Sequence, residues 1–423
     1  MARFIDLLRS GRWLTRERMR LVAFALLAAM TIGAGFLIAT SNGLNDRFGR
    51  PLGTDFSNVY AAGSYVLDGE PAAPFDPARQ FAREQAIFGQ ATQFYGWHYP
   101  PFFLGLAALL ATMPYWLSLI VWQGVTLILY LLSIRAILTA SWPGLSRPST
   151  PSLKNHWLLL TLAFPAVFIN LGQAHNGFLT AALIGASLTL IDRRPIVSGI
   201  LIGALAYKPQ FGLLIPLVLI ASGRWRVFAA ATAMVALMAA AVTLAFGSDV
   251  WSAFFASSHF TRMVVLEQGG TGWHKIQSVF SWVRMWGGGI ALAYATQGAV
   301  TLLIATALAW LWRSPAAFPL KAAALMIGSL LATPYSLDYD LMLLAPAIAY
   351  LAADGMARGG APWEKTILAA LWIVPLIARS VPQATLIPLA VPIMLTAFAM
   401  LLRRAMNECG APKLWHFAAR PLK

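Results

Sequence analysis

Residues 21–40 read LVAFALLAAMTIGAGFLIAT, twenty residues without a charge. As a helix at about 1.5 Å per residue this run matches a hydrocarbon core about 30 Å thick. Arg3, Arg9, Arg12, Arg16, Arg18 and Arg20 come before it, so the positive-inside rule puts the N-terminus in the cytoplasm. A cleaved signal peptide is the competing reading. The run is longer than a typical h-region, however, and the following Ser41-Asn42-Gly43-Leu44-Asn45 lacks a small-x-small cleavage site, so a retained first helix is expected.

The rest of the chain repeats the pattern. Of its 423 residues 59% are hydrophobic and 11% charged, with a mean hydropathy of +0.67. A soluble globule carries about a quarter charged residues. Apolar segments too long for barrel strands recur along nearly the whole length, so helices must satisfy the backbone in lipid. The expected class is all-α and polytopic, with about twelve crossings and both termini inside, plus short re-entrant and interfacial helices. The excess of 31 basic over 16 acidic residues fits short cytoplasmic loops better than nucleic acid, because no basic run is interleaved with aromatics. The lone Cys409 excludes an intramolecular disulfide and a cysteine metal cluster.

Topology follows from the charges. Residues 1–20 form a basic cytoplasmic N-terminus, 21–402 a single transmembrane domain, and 403–423 a cytoplasmic tail. A first trans loop, 42–99, holds six of the sixteen acids, and residues 77–88 within it read as a short amphipathic helix along the interface. Residues 102–112 are too short to cross alone and read as a re-entrant helix. Arg135, Arg147 and Lys154 mark a cytoplasmic return after the next run. Residues 199–221, flanked by arginines on both sides, should form two short helices turning at Tyr207-Lys208-Pro209. A second trans loop runs over 247–288.

On this topology Asp55, His98, Tyr99, Gln173, His175, Asn176, Lys208, Arg262, His274, Lys275, Asp338 and Asp340 gather at the trans face. Asp55, in Gly53-Thr54-Asp55-Phe56-Ser57-Asn58, has no neighbouring cation. It suits a general base for an attacking hydroxyl, or a helix N-cap. Lys208, between two short apolar helices, needs a phosphate, another partner, or water reached by snorkelling. Asp338-Tyr339-Asp340 has the D-x-D spacing of some metal-dependent sugar transferases, but two acids at the start of a helix also suit its dipole. The chain has no H-E-x-x-H, no Walker A loop and no dinucleotide fingerprint after a strand, so ATP hydrolysis and redox chemistry are not supported, and no cofactor or metal is expected.

The ordered set Asp55-Phe56, Tyr60-Ala61-Ala62-Gly63, Leu67-Asp68-Gly69, Tyr99-Pro100-Pro101, Gly172-Gln173 with Asn176, and Gly199 with Lys208 resembles glycosyltransferase family 87. These are polyprenol-phosphate-mannose-dependent mannosyltransferase-like proteins of the GT-C membrane fold. The resemblance implies metal-independent transfer of a hexose, mannose in the first instance, from a polyprenol-phosphate donor to a lipid or glycan acceptor. The reaction would take place on the periplasmic face of a bacterial inner membrane. It also implies Asp55 as the catalytic carboxylate. Lys208, Arg262, His274 and Lys275 would then hold the donor phosphate, and the remaining polar residues above the substrates. The alternative from a different class is a transporter or flippase of a lipid-linked sugar, which would use membrane cations in the same way. The large ordered first loop favours the enzyme.

Overall fold

The computed structural model describes residues 1–141 and 151–410, the side chains of 151–155 excepted. The topology marker Arg147, the side chain of Lys154 and the tail after residue 410 lie outside the described residues. Twenty α-helices follow in chain order: α1 Ala2–Ser10, α2 Arg16–Ala39, α3 Thr54–Leu67, α4 Pro77–Phe88, α5 Leu104–Ala111, α6 Tyr115–Ser141, α7 Pro151–Leu162, α8 Pro165–Gln173, α9 Gly177–Leu190, α10 Pro195–Gly203, α11 Ile215–Ala221, α12 Trp225–Phe246, α13 Asp249–Thr261, α14 Val279–Met285, α15 Ile290–Arg313, α16 Phe318–Ala332, α17 Leu344–Arg358, α18 Glu364–Ile377, α19 Ser380–Thr385 and α20 Ala390–Glu408. Short 3-10 turns join several of them, and β-pairing among the described residues is confined to isolated bridges.

The helices are of two kinds. Among the described residues five segments are long and apolar enough to cross a membrane: α2, α6, α12, α15, and α17 with the turn before it. A sixth is present if α7 and α8, bent by 48° at Pro165, count as one span. Five more apolar helical segments run only 10–17 residues. The expected count of about twelve crossings is not reached by length and composition among the described residues, where several of the apolar runs are half-length. Residues 199–221 show the reason: α10 stops at Gly203, 3-10 turns carry the chain through Ala204–Tyr207 and Pro209–Phe211, and α11 returns. Pro209 cannot continue a helix and Lys208 must reach a polar partner, so the turn falls at that point.

Packing depends on close backbone approach, because apolar side chains gain little from leaving lipid for one another. Gly199 and Gly203, one turn apart on α10, lie against α12. A Cβ on Gly199 would stand 2.5 Å from both Ala230 Cβ and the Val227 carbonyl oxygen. α16 is buried almost throughout from Leu320 to Ala332, as expected for a helix that is apolar on every face. It forms the centre of the larger core, between α15, α17 and α20.

The first loop is an ordered subdomain. α3 packs on α5 so closely that a Cβ on Gly63 would overlap the Ala107 carbonyl. α4 matches the expected 77–88 helix and is capped by Asp76, which accepts from Ala78 N at 2.9 Å. Its buried face is not turned to lipid. Gln80 donates to Asn58 O of α3 at 3.0 Å, and Glu84 accepts from Tyr95 N and Gly96 N, both at 3.0 Å. α5, at about 12 Å long, cannot cross a bilayer.

Candidate active site

Asp55 owes its place to a turn only glycine makes easily. Gly53 has φ +70°, and a Cβ there would lie 2.9 Å from Ala174 Cβ, so the start of α3 sits directly on the α8–α9 turn. Gly53 is the N-cap and Asp55 the second helical residue, free of capping bonds. Its carboxylate faces Gln173. In the amide orientation that satisfies both neighbours, Gln173 donates to Asp55 Oδ2 at 3.1 Å and accepts from Arg379 Nη2 at 2.5 Å. The turn carrying Gln173 is held by Trp122 Nε1, which donates to Ala174 O at 3.0 Å, and by Asn170, whose side chain donates to Tyr339 O and accepts from Gly177 N, both at 3.0 Å.

The facing wall comes from distant sequence. Ile276 bridges to Leu337, and Gln277 joins Ser336 O and Ala378 O, each at 2.6 Å, so the second loop, the turn before α17 and the end of α18 meet. Lys275, Asp338 and Arg379 are brought together there. The Arg379 guanidinium forks onto Asp338, with Nη2 3.0 Å from Oδ1 and Nε on Oδ2. Lys275 makes no ion pair with any described carboxylate.

These walls enclose a cavity of about 820 Å³, room for a hexose and a phosphate with space to spare. Phe94, Tyr95, Trp97, His98 and Tyr99 of the first loop form a third side, closed by the His98 Nδ1 to Thr261 Oγ1 contact of 2.9 Å. Leu37, Phe168, Pro375 and Leu376 give it an apolar edge on helices α2, α8 and α18. Asp55 is half-buried in this enclosure. Burial raises its pKa from 3.8 to about 7, opposed by Arg379 and reinforced by Asp338. Burial also holds His98 near 4, hence neutral, and lowers the Lys275 ammonium, with Arg379 acting in the same sense.

The family model for glycosyltransferase family 87 matches residues 97–334, more than half of the chain. The chain belongs to glycosyltransferase family 87. No curated protein and no solved structure matches it. With its long apolar helices it is a membrane glycosyltransferase, and sugar donor and acceptor are its substrates.

In this family 87 enzyme the cavity collects Asp55, His98, Tyr99, Gln173, His175, Lys208, Lys275 and Asp338 from the residues singled out in the sequence. Asn176 and Asp340 lie behind the lining. Lys208 Nζ donates to Asp340 Oδ1 at 2.5 Å and to Asn176 Oδ1 at 2.8 Å, and Tyr339 and Phe211 lie beneath it. Its charge is thus matched by protein. Arg262 and His274 do not line the cavity, and Arg262, 55% exposed, pairs with Glu267 at 3.5 Å. The D-x-D acids do not act together: Asp338 is committed to Arg379 and Asp340 to Lys208 and to Leu337 N, 3.0 Å away. Among the described residues no three His, Cys, Asp or Glu side chains converge on one point.

Sequence reasoning missed Arg379. A signal was present, since it is the one charge between Lys365 and Arg403, at the helix end assigned to the trans face, where the positive-inside rule does not call for arginine. Asp55, Asp338 and Arg379 all fall outside the stretch matched by the family model.

Proposed function

We propose that this enzyme transfers a hexose, mannose in the first instance, from a polyprenol-phosphate donor to a hydroxyl of a lipid or glycan acceptor, with Asp55 as general base. One observation carries the reading: Asp55, without an ion-pair partner, and Lys275, also without one, face a single cavity that has an apolar edge on membrane helices. In this reading the acceptor hydroxyl gives its proton to Asp55 as its oxygen attacks the anomeric carbon. The bond from that carbon to the phosphate oxygen breaks, and polyprenyl phosphate leaves with the electron pair. Charge grows on the phosphate, where Lys275 and the Nη1 of Arg379, the guanidinium nitrogen that Asp338 and Gln173 leave over, would meet it, and donors already in place stabilise it without reorganisation. A monophosphate needs one or two such cations, whereas a nucleotide diphosphate sugar commonly needs a metal. Lys208, matched by Asp340, serves to fix the α10–α11 turn. Arg262 and His274 remain donor candidates only by way of a loop rearrangement. The first loop supplies the acceptor wall, and by the charge reading the site opens to the periplasm of a bacterial inner membrane with both termini cytoplasmic, in a GT-C-like fold.

The test is sugar transfer in proteoliposomes from polyprenol-phosphate hexose or from nucleotide diphosphate hexose, with and without EDTA. Transfer from the lipid donor alone, unchanged by EDTA, is expected. Transfer from the nucleotide donor, abolished by EDTA and by Asp338→Asn, would move the chemistry to the Asp338–Asp340 turn and overturn the proposal.

A further inference from the structure

The first helix is left uncovered by the protein and yet is firmly fixed to it. α1 turns Met1, Phe4, Ile5, Leu7 and Leu8 to one arc and Arg3, Asp6, Arg9 and Ser10 to the other, the division a helix makes at 3.6 residues per turn. No α1 side chain is buried; of the apolar arc Met1, Phe4, Ile5 and Leu7 are exposed and Leu8 is half-covered. A surface helix that faced water on all sides would have no use for such an arc. Nor does α1 swing freely. Trp363 N donates to Arg9 O at 2.8 Å, the Thr366 hydroxyl to Leu8 O at 2.7 Å, and Trp13 Nε1 to that hydroxyl at 2.9 Å. Gly11, at φ +67°, turns the chain against Lys365 so closely that a Cβ there would stand 2.7 Å from the Lys365 Cβ.

Its position is set by α2, which begins at Arg16 and reaches the cavity at Leu37. That separation is about 30 Å of helix, one hydrocarbon thickness, so α1 lies at the bilayer surface opposite the cavity. Residues 1–20 also carry six arginines against Asp6 and Glu17.

We propose that α1 is a docking helix for anionic lipid headgroups, seated in the membrane interface with Phe4, Ile5 and Leu7 among the acyl chains and Arg3, Arg9 and Arg12 at the phosphates. Continuity with a membrane-spanning helix brings the apolar arc to that surface, and the arginine excess selects a negative one. The role is independent of the transfer reaction.

The test uses the full chain carrying Cys409→Ser and Ile5→Cys, labelled with an environment-sensitive fluorophore. It is reconstituted in vesicles of phosphatidylcholine alone or mixed with phosphatidylglycerol. Quenching by nitroxide lipids is expected in the anionic vesicles and weaker in the neutral ones, with Arg3→Gln and Arg9→Gln each lowering it in the anionic vesicles toward the neutral level. Quenching by aqueous iodide but not by lipid nitroxide would overturn the proposal. Lipid quenching equal in the two vesicles would remove the anionic headgroup from it. Protection that disappears on diluting the protein in the bilayer would assign the arc to a second copy instead.

Discussion

Two clusters of charge sit at opposite ends of α17 and α18, and they are built on opposite plans. At the end away from the cavity, Arg404 reaches Asp354, Glu364 at 2.7 Å and Glu408 at 3.6 Å, while Arg358 reaches Asp354 and Glu408, the latter at 3.1 Å. Every acid there has at least one arginine. At the cavity end Asp338 has Arg379 and Asp340 has Lys208, but Asp55 has only an amide and Lys275 has no carboxylate. The closed cluster is complete in itself and ties three helix ends together. The open one turns a carboxylate and an ammonium without ion-pair partners toward the cavity, the arrangement expected where a substrate is to be met.

The contrast breaks most decisively at Asp55. Asp55→Asn keeps the shape but cannot take a proton, so turnover should fall about 10²- to 10⁴-fold, measured as transfer in proteoliposomes with the elution profile unchanged. An Asn variant with full activity would remove Asp55 from the chemistry. The matching cut in the closed cluster should act on folding instead. Arg404→Leu strands Glu364, which is 2% exposed, and should cost about 3 kcal/mol, read as a lower melting temperature in detergent with turnover per folded molecule unchanged. If turnover collapsed while the melting temperature held, the two ends would not be separate in function.

Lys275→Met should lower kcat/KM for the donor about 10- to 100-fold, the worth of one or two charge-assisted hydrogen bonds to a phosphate. Lys208→Met should mainly destabilise, because it leaves Asp340 buried and unpaired. A larger kinetic loss at Lys208 than at Lys275 would exchange their roles.

The smallest effect is a shift in pH dependence. The Asp55 carboxyl titrates near 7 in the folded chain against 3.8 ordinarily, and a base works ionised, so kcat/KM should rise from pH 6 to 8 with its midpoint near 7. Stability runs the other way. Burial favours the protonated form, so the contribution of Asp55 to folding is full below 3.8 and is lost as pH rises through 7, and Asp55→Asn should flatten that loss. Gln173→Leu removes the hydrogen bond that favours the ionised form and should move the midpoint of the activity profile upward by about one unit or less. A fixed midpoint would mean that the amide serves only to place Arg379.

Local chemistry made much of this legible in advance. A twenty-residue apolar run behind six arginines specifies a membrane helix wherever it occurs, because the backbone has no other way to satisfy itself in lipid. Asp76 before Pro77 specifies the start of α4 for a similarly local reason. Asp55, Gln173 and Lys275 were recognisable as members of a polar set gathered at the trans face, and the cavity collects all three. Tertiary structure alone decided which charges cancel. Lys208 and Asp340 are 132 residues apart, and the Gln173 link between Asp55 and Arg379 joins the first loop to the end of α18. No period or motif spans such distances. Whether a buried lysine is a phosphate ligand or half of an ion pair depends on what lies within about 4 Å of it in space, and only the packing of α9, α10 and the turn before α17 sets that.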